Sequence, residues 1–558
     1  MGNCLWPSVV NHFIYFSSRD QVLREISNSV RNSSFYTIMV DETPDVSGKE
    51  QVVVCIRWID DTDLEVHEDF IGLYHVTSTT ADCLVKVIKD VLLRMNITIK
   101  KLRGQCYDGA ASMSGVHRGV AKQMQEEEPR AIYTHCYAHA LNLACSDTIK
   151  GVKVVKDALD TSNEIIKLIK CSPKREAIFN KLKQLGSASM IADDEGDTDS
   201  ENDEDDGLDE SSAPNLSKMC ATRWTVKAKA LKGILQNYNT LLKTFSACLD
   251  DPQGNLDSGL KVRIRGVVSH MHMFSFYFGV RLAELVLSHS DNLSKTLQAT
   301  KMSASEGQRC ANMTVKTLTG FRNNFGMFWE KVTADAQTLN VGEPDKPRPR
   351  TCPRRLDIGN ASTAFHPETA EDHFRVIYVE AVDSITSCIT DRFDQPGYQQ
   401  YRKLQDLLLN AINNKDYNDL LLDVTRFYGD DFNSDFDVHI TTLIAEFQTT
   451  SSVNTIDDIV TFLRNLSYAE RQLLDNIVTV VKLILVMPAT NATSERSFSA
   501  LRRVKGYLRG TMRQDRLNHV MLLHIHKQTT DSLNLVEIAN DFVNRHVERR
   551  LSVFGKFI

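Results

Sequence analysis

Hydrophobic positions recur every third or fourth residue in the first segment of the chain, where Val22, Ile26 and Val30 share one helical face. At residues 35–40 the pattern becomes a continuous aromatic and β-branched run, Phe35, Tyr36, Ile38 and Val40. That run predicts a buried strand delivering Asp41 at its end. Polar turns at residues 43–48 and 60–63 bound a second apolar stretch, residues 51–59, and residues 66–76 form a third. Three strands joined by short turns make an antiparallel meander.

The period then lengthens again. Leu84, Val87, Ile88, Val91 and Leu92 predict a helix over residues 80–95, capped by Thr79 or Thr80. A short strand ending at Tyr107 presents Asp108, and Gly109 allows a sharp exit from it. A helix over residues 116–127, a strand over 131–135 and a helix starting at Cys136 complete an order βββαβαβα, which is one sheet with helices packed on it. Residues 151–185 read as helix. Helical periodicity resumes after Trp224 and continues to about residue 487, with a break at 344–353, where four prolines fall. Ala492, Glu495, Phe498, Leu501 and Val504 predict a further helix after Pro488, capped by Thr493 or Ser494, and residues 517–558 are amphipathic and helical.

Charge changes the picture in two places. The 558 residues carry a net charge of −7, but residues 193–210 hold twelve acidic side chains and no basic one, so the rest of the chain is mildly basic. Residues 187–217 cannot bury enough apolar surface to fold and read as a disordered loop. Residues 491–516 hold seven Lys/Arg against Glu495 and Asp515, a patch that attracts phosphate. Twelve cysteines without a C-x-x-C pair fit a reduced, intracellular chain. No apolar run is long enough to predict a membrane span.

Three carboxylates stand out: Asp41 and Asp108 at strand ends, and Glu495 on the inward stripe of a basic helix. Hard oxygen ligands of this kind serve two-metal phosphoryl transfer with Mg²⁺. Plainer readings stay open. Glu495 can pair with Arg496 or Arg502, Asp41 can form a turn with Asp45, and Asp108 with Gly109 can be a turn alone. Cys136 and His139 offer two zinc ligands where a closed structural site takes four, so they can equally be a helix-packing pair. Trp224 can be core, although Arg223 beside it suits a phosphate.

Four segments resemble the hAT superfamily of DNA transposases. They are Ile38-Met-Val-Asp-Glu-Thr-Pro-Asp-Val-Ser47; Arg103-Gly-Gln-Cys-Tyr-Asp-Gly-Ala-Ala-Ser-Met-Ser-Gly115 running on to His135-Cys-Tyr-Ala-His-Ala-Leu-Asn-Leu143; Thr222-Arg-Trp224; and Pro488-Ala-Thr-Asn-Ala-Thr-Ser-Glu-Arg-Ser-Phe-Ser499. The resemblance implies an α/β RNase H-like (DDE transposase) core interrupted by a large all-α insertion domain, with a C-terminal helical hAT dimerisation region. On that basis residues 1–34 are an N-terminal helical remnant and 35–150 the first part of the core. Residues 151–463 are the insertion with its acidic loop, 464–528 complete the core and carry the dimerisation region, and 529–558 form a last helix.

The resemblance further implies that Asp41, Asp108 and Glu495 hold Mg²⁺ or Mn²⁺ and catalyse DNA strand cleavage and transfer. Cys136 and His139 fall in the family's C-x-x-H motif beside the active site, and Trp224 in its R-W motif. Arg223, Arg496, Arg502, Arg503 and Lys505 are then expected to contact DNA. The expected partners are transposon-end and target DNA and a second copy of the chain, or more, in the nucleus, with no membrane. The zinc finger usual at the N-terminus of such proteins is not present in this sequence, so independent recognition of a DNA sequence is not expected of it. A domesticated, catalytically silent regulator using the same fold for dimerisation and transcriptional or chromatin control is the alternative.

Overall fold

The computed structural model of the protein describes residues 6–191, 215–219, 225–250, 256–299, 302–346, 367–447 and 455–544. The expected acidic loop lies largely outside the described residues. Strands β1 (Tyr36–Pro44), β2 (Glu50–Ile59), β3 (Val66–Val76), β4 (Leu102–Tyr107) and β5 (Ile132–His135) form one sheet in the order β3-β2-β1-β4-β5. The first three strands pair antiparallel through short turns, while β4 pairs parallel with β1 and β5 parallel with β4. Parallel neighbours need a crossover, supplied here by segments containing the helices Ala81–Arg94 and Val120–Glu127.

Strand β1 lies at the centre of the sheet, which accounts for its unbroken apolar run: Tyr36, Ile38, Met39 and Val40 are all buried. Gly104 of β4 is needed for the packing beside it. A Cβ there would fall 2.1 Å from Met487 Sδ and 2.3 Å from Thr37 Oγ1. Strand β1 also extends past the predicted strand end at residue 40, because Glu42, Thr43 and Pro44 pair with Val52, Gln51 and Glu50 of β2. The predicted helix over residues 116–127 begins only at Val120, after a separate short turn at Ala111–Ser114 with Gly115 and Gly119 between.

The described chain divides into two compact units. One comprises Met1–Ala140, Leu297–Arg309 and Phe393–Ile558, and holds the sheet. Its core joins distant segments. Val22 and Val30 of the helix Trp6–Asn32, Phe498 and Leu501 of the helix Ala492–Val504, and Leu517 and Met521 of the helix Gln514–Ile525 are buried in the same apolar cluster as the strands. The last predicted helix is divided into Gln514–Ile525, Lys527–Asp531 and Leu535–Asn544. The other unit, Leu141–Thr296 and Cys310–Arg392, is helical wherever its elements are described. An aromatic core holds that unit: Phe278 lies 4.6 Å from Phe374, and the Tyr378 hydroxyl donates to the Phe321 carbonyl at 2.9 Å.

The turn after β1 is closed from far along the chain. Asp45 accepts from the Ser47 amide at 2.8 Å and from Lys505 Nζ at 2.6 Å, and Lys505 also donates to Ser47 Oγ at 2.9 Å. Gly48 takes φ +73° to complete this turn. Lys505 is therefore a buried structural cation and does not meet the expectation of a DNA contact. It is the C-cap residue after Val504 and is buried.

Breaking this buried pair leaves a carboxylate without its cation. Lys505→Met is expected to lower stability by about 3–5 kcal/mol in urea denaturation at pH 7. Burial alone would raise the Asp45 pKa, but Lys505 and the Ser47 hydrogen bonds outweigh it and hold the carboxyl well below the usual range. The stabilisation is thus present above about pH 4 and fades as pH falls further. The difference between wild type and Asp45→Asn should shrink from pH 7 to pH 3.

Candidate functional site

Strands β1 and β4 separate just beyond their last pair, Met39 with Cys106. Asp41 and Asp108 each lie two residues past that pair, so they occupy equivalent positions where two parallel strands part. Asp41 is opposite Val53 of β2 and buried, and its Oδ1 accepts the Glu42 amide at 2.9 Å. Asp108 closes a turn as well as ending a strand: its Oδ1 accepts the Ala110 amide at 3.1 Å, and its carbonyl accepts from the Tyr133 hydroxyl at 3.0 Å. The turn-forming role beside β1 belongs to Asp45, as described above.

Glu495 reaches this region because of Asn491, which precedes the helix Ala492–Val504. Asn491 is fully buried. Its Nδ2 donates to the Val40 carbonyl at 2.7 Å, and its backbone amide donates to Cys136 Sγ at 3.1 Å. Its Oδ1 accepts from Ser494 Oγ at 2.6 Å, so the expected caps Thr493 and Ser494 lie inside the helix instead. The preceding segment is held as firmly. The buried Arg57 guanidinium donates twice to the Leu485 carbonyl, at 3.1 and 2.8 Å, and once to Glu68 at 2.6 Å. Glu68 in turn accepts from Thr493.

Cys136 follows β5 directly and its amide donates to the Tyr107 carbonyl at 2.9 Å. His139 comes one helical turn later, on the same face. His139 Nδ1 lies 4.0 Å from Glu495 Oε1 and is buried with no hydrogen-bond partner. The ligand atoms of Cys136, His139 and Glu495 all lie within 4.8 Å of one another.

The charges in this cluster oppose one another. Burial pushes the Asp41 carboxyl up to about 7, with His139 pulling it down and Cys136 and Glu495 adding to the rise. Burial would raise the Cys136 thiol, but a hydrogen bond from Cys106 and the charge of His139 bring it well below its usual value. Burial would lower His139, yet Cys136, Asp41 and Glu495 together raise it to about 10. Asp108 acts on a different neighbour: Glu42 is raised by burial first and by Asp108 second. The structure thus groups Asp41 with Cys136, His139 and Glu495, and sets Asp108 at the matching strand position.

The remaining expected contacts divide three ways. Arg502 and Arg503 are exposed. Arg496 turns back, donating to the Gln298 carbonyl at 3.1 Å and to Thr493 Oγ1 at 2.7 Å. Arg223 and Trp224 lie outside the described residues. Asn491 was not singled out from the sequence, where an asparagine before a helix reads as an ordinary cap.

The comparisons with known proteins match this architecture at both ends. Residues 9–119 match the ZMYM1/FAM200, RNase-like domain, and residues 450–529 match the hAT family C-terminal dimerisation region. By its C-terminal match the chain is similar to hAT-family proteins. It is similar to the protein named 52 kDa repressor of the inhibitor of the protein kinase, being 23% identical over 534 residues to the one from Mus musculus and 23% over 530 residues to the one from Homo sapiens. Each alignment covers 93% of this chain, and the chain spans 65% and 64% of those two relatives. Among the described residues no helix is long and apolar enough to cross a membrane.

Asn491→Leu removes the donor to Val40 and leaves a buried carbonyl unsatisfied, a loss of about 1–3 kcal/mol that urea denaturation would register. His139 is expected to stay protonated through pH 8, since its raised pKa holds the proton until about pH 10. In Cys136→Ser the imidazole should titrate at lower pH, which its carbon-bound proton signal would report by NMR.

Proposed function

We propose that the protein is a hAT-type DNA strand-transferase in which Asp41, Asp108 and Glu495 hold Mg²⁺ or Mn²⁺, acting in the nucleus on transposon-end and target DNA. The observation that carries this reading is the position of Asp41 and Asp108 at equivalent places where two parallel neighbours part, with the Glu495 helix anchored to Val40 beside Asp41. The donor set suits the ion. Its ligands are carboxylate oxygens, and Asp41 is a buried carboxyl that a divalent cation would keep ionised.

Bound there, the ions would activate the attacking oxygen and stabilise the leaving one. The chain's own contribution is placement. Asn491 anchors the start of the Glu495 helix, and the Ala110 amide holds the Asp108 carboxylate in its turn after β4. The exposed Arg502 and Arg503 on the same helix would take DNA phosphates. The helical unit is read as an insertion within an RNase H-like core, since the sheet unit has segments both before and after it in the sequence. Tyr507 and Leu508, each 95% exposed within the matched dimerisation region, favour self-association into a dimer or larger assembly.

One observation favours a second reading. Both curated relatives carry the name of a repressor, which fits a domesticated regulator that keeps the fold for dimerisation without chemistry. Incubation with Mg²⁺ or Mn²⁺ and terminal-repeat DNA separates the two. Under the first reading Asp108→Asn should lower strand nicking by about a hundredfold or more. Metal-independent binding without nicking, equal in wild type and Asp108→Asn, would leave the regulator.

A further inference from the structure

We infer that Cys136, His139 and Glu495 form a binding site for a transition-metal ion, Zn²⁺ by ligand type, distinct in chemistry from a Mg²⁺ site. The three donors are a sulfur, an imidazole nitrogen and a carboxylate oxygen, the set that Zn²⁺ accepts. Mg²⁺ prefers oxygen donors and has no use for Cys136 or His139. The inference therefore stands whether or not the protein cleaves DNA.

The geometry is nearly that of a bound ion. Two ligands at zinc bond lengths of about 2.0–2.3 Å in a tetrahedron are roughly 3.5 Å apart. His139 Nδ1 and Glu495 Oε1 are 4.0 Å apart, and the whole set lies within 4.8 Å. Side-chain adjustments of about an ångström close the difference. His139 Nδ1 is buried without a hydrogen-bond partner, an orphaned nitrogen facing a carboxylate and a sulfur. Cys136 Sγ accepts the Asn491 amide at 3.1 Å, the kind of outer support that holds a metal-bound thiolate in place.

Three protein ligands leave one position free, as in open zinc sites and unlike closed structural ones. The site also uses Glu495. A bound Zn²⁺ would therefore draw that carboxylate away from any Mg²⁺ held with Asp41 and Asp108.

Cobalt titration of the chelator-stripped full chain, read by absorbance, tests the site without reference to activity. Wild type should bind one Co²⁺ with a thiolate-to-cobalt charge-transfer band, and Zn²⁺ should displace it. Cys136→Ser should abolish the band, while Asp108→Asn should keep it. Glu495→Gln, a conservative change at a partly exposed position, should weaken Zn²⁺ binding by more than about a hundredfold, since losing outer-shell support alone costs 10–100-fold. Absence of the band in wild type, its persistence in Cys136→Ser, or unchanged Zn²⁺ affinity in Glu495→Gln would each overturn the inference. The last arm decides even if Cys136→Ser fails to fold.

Discussion

The hydrogen bond from Asn491 to the Val40 carbonyl is the constraint on which the rest of the site depends. Val40 is the residue before Asp41, and Asn491 stands one turn before Glu495. One buried amide therefore fixes the distance between the central strand and a helix start that are 451 positions apart in the sequence. The same residue's backbone amide reaches the Cys136 sulfur, so three otherwise separate elements share one anchor. Arg57, with two donors on the Leu485 carbonyl, keeps the approach to that anchor in place.

Around this anchor the charges are arranged at a cost that only mutual pairing offsets. A buried carboxylate, a buried thiol and an imidazole would each lose ionisation in isolation. Together they favour an imidazolium at His139 against its acidic partners, while the Asp41 carboxyl is raised to about 7.

The meander and the crossover strands were legible because their turns carry Asp and Gly between β-branched runs, a local signal. The length of β1 was less so, since Glu42, Thr43 and Pro44 look like a turn until β2 supplies their partners. The C-x-x-H spacing showed two ligands, but no local pattern could reveal that Glu495 would join them. Lys505 misled for the same reason. Within a basic run it reads as solvent-facing, and only folding brings Asp45 to it. What the sequence concealed was chiefly tertiary pairing over hundreds of residues, together with some element boundaries.

The sheet unit is assembled from both ends of the described chain, and this has a bearing on its birth at the ribosome. The meander emerges before the late helices that pack against it, at roughly 5–20 residues per second. Hundreds of residues must follow before Phe498, Leu501 and Met521 arrive. A nascent chain halted before that point would carry strands without the late helices that bury them, the kind of exposed apolar surface that chaperones exist to handle. Truncation near the C-terminus would therefore do more than shorten the protein: it would leave the earlier-made sheet half-built.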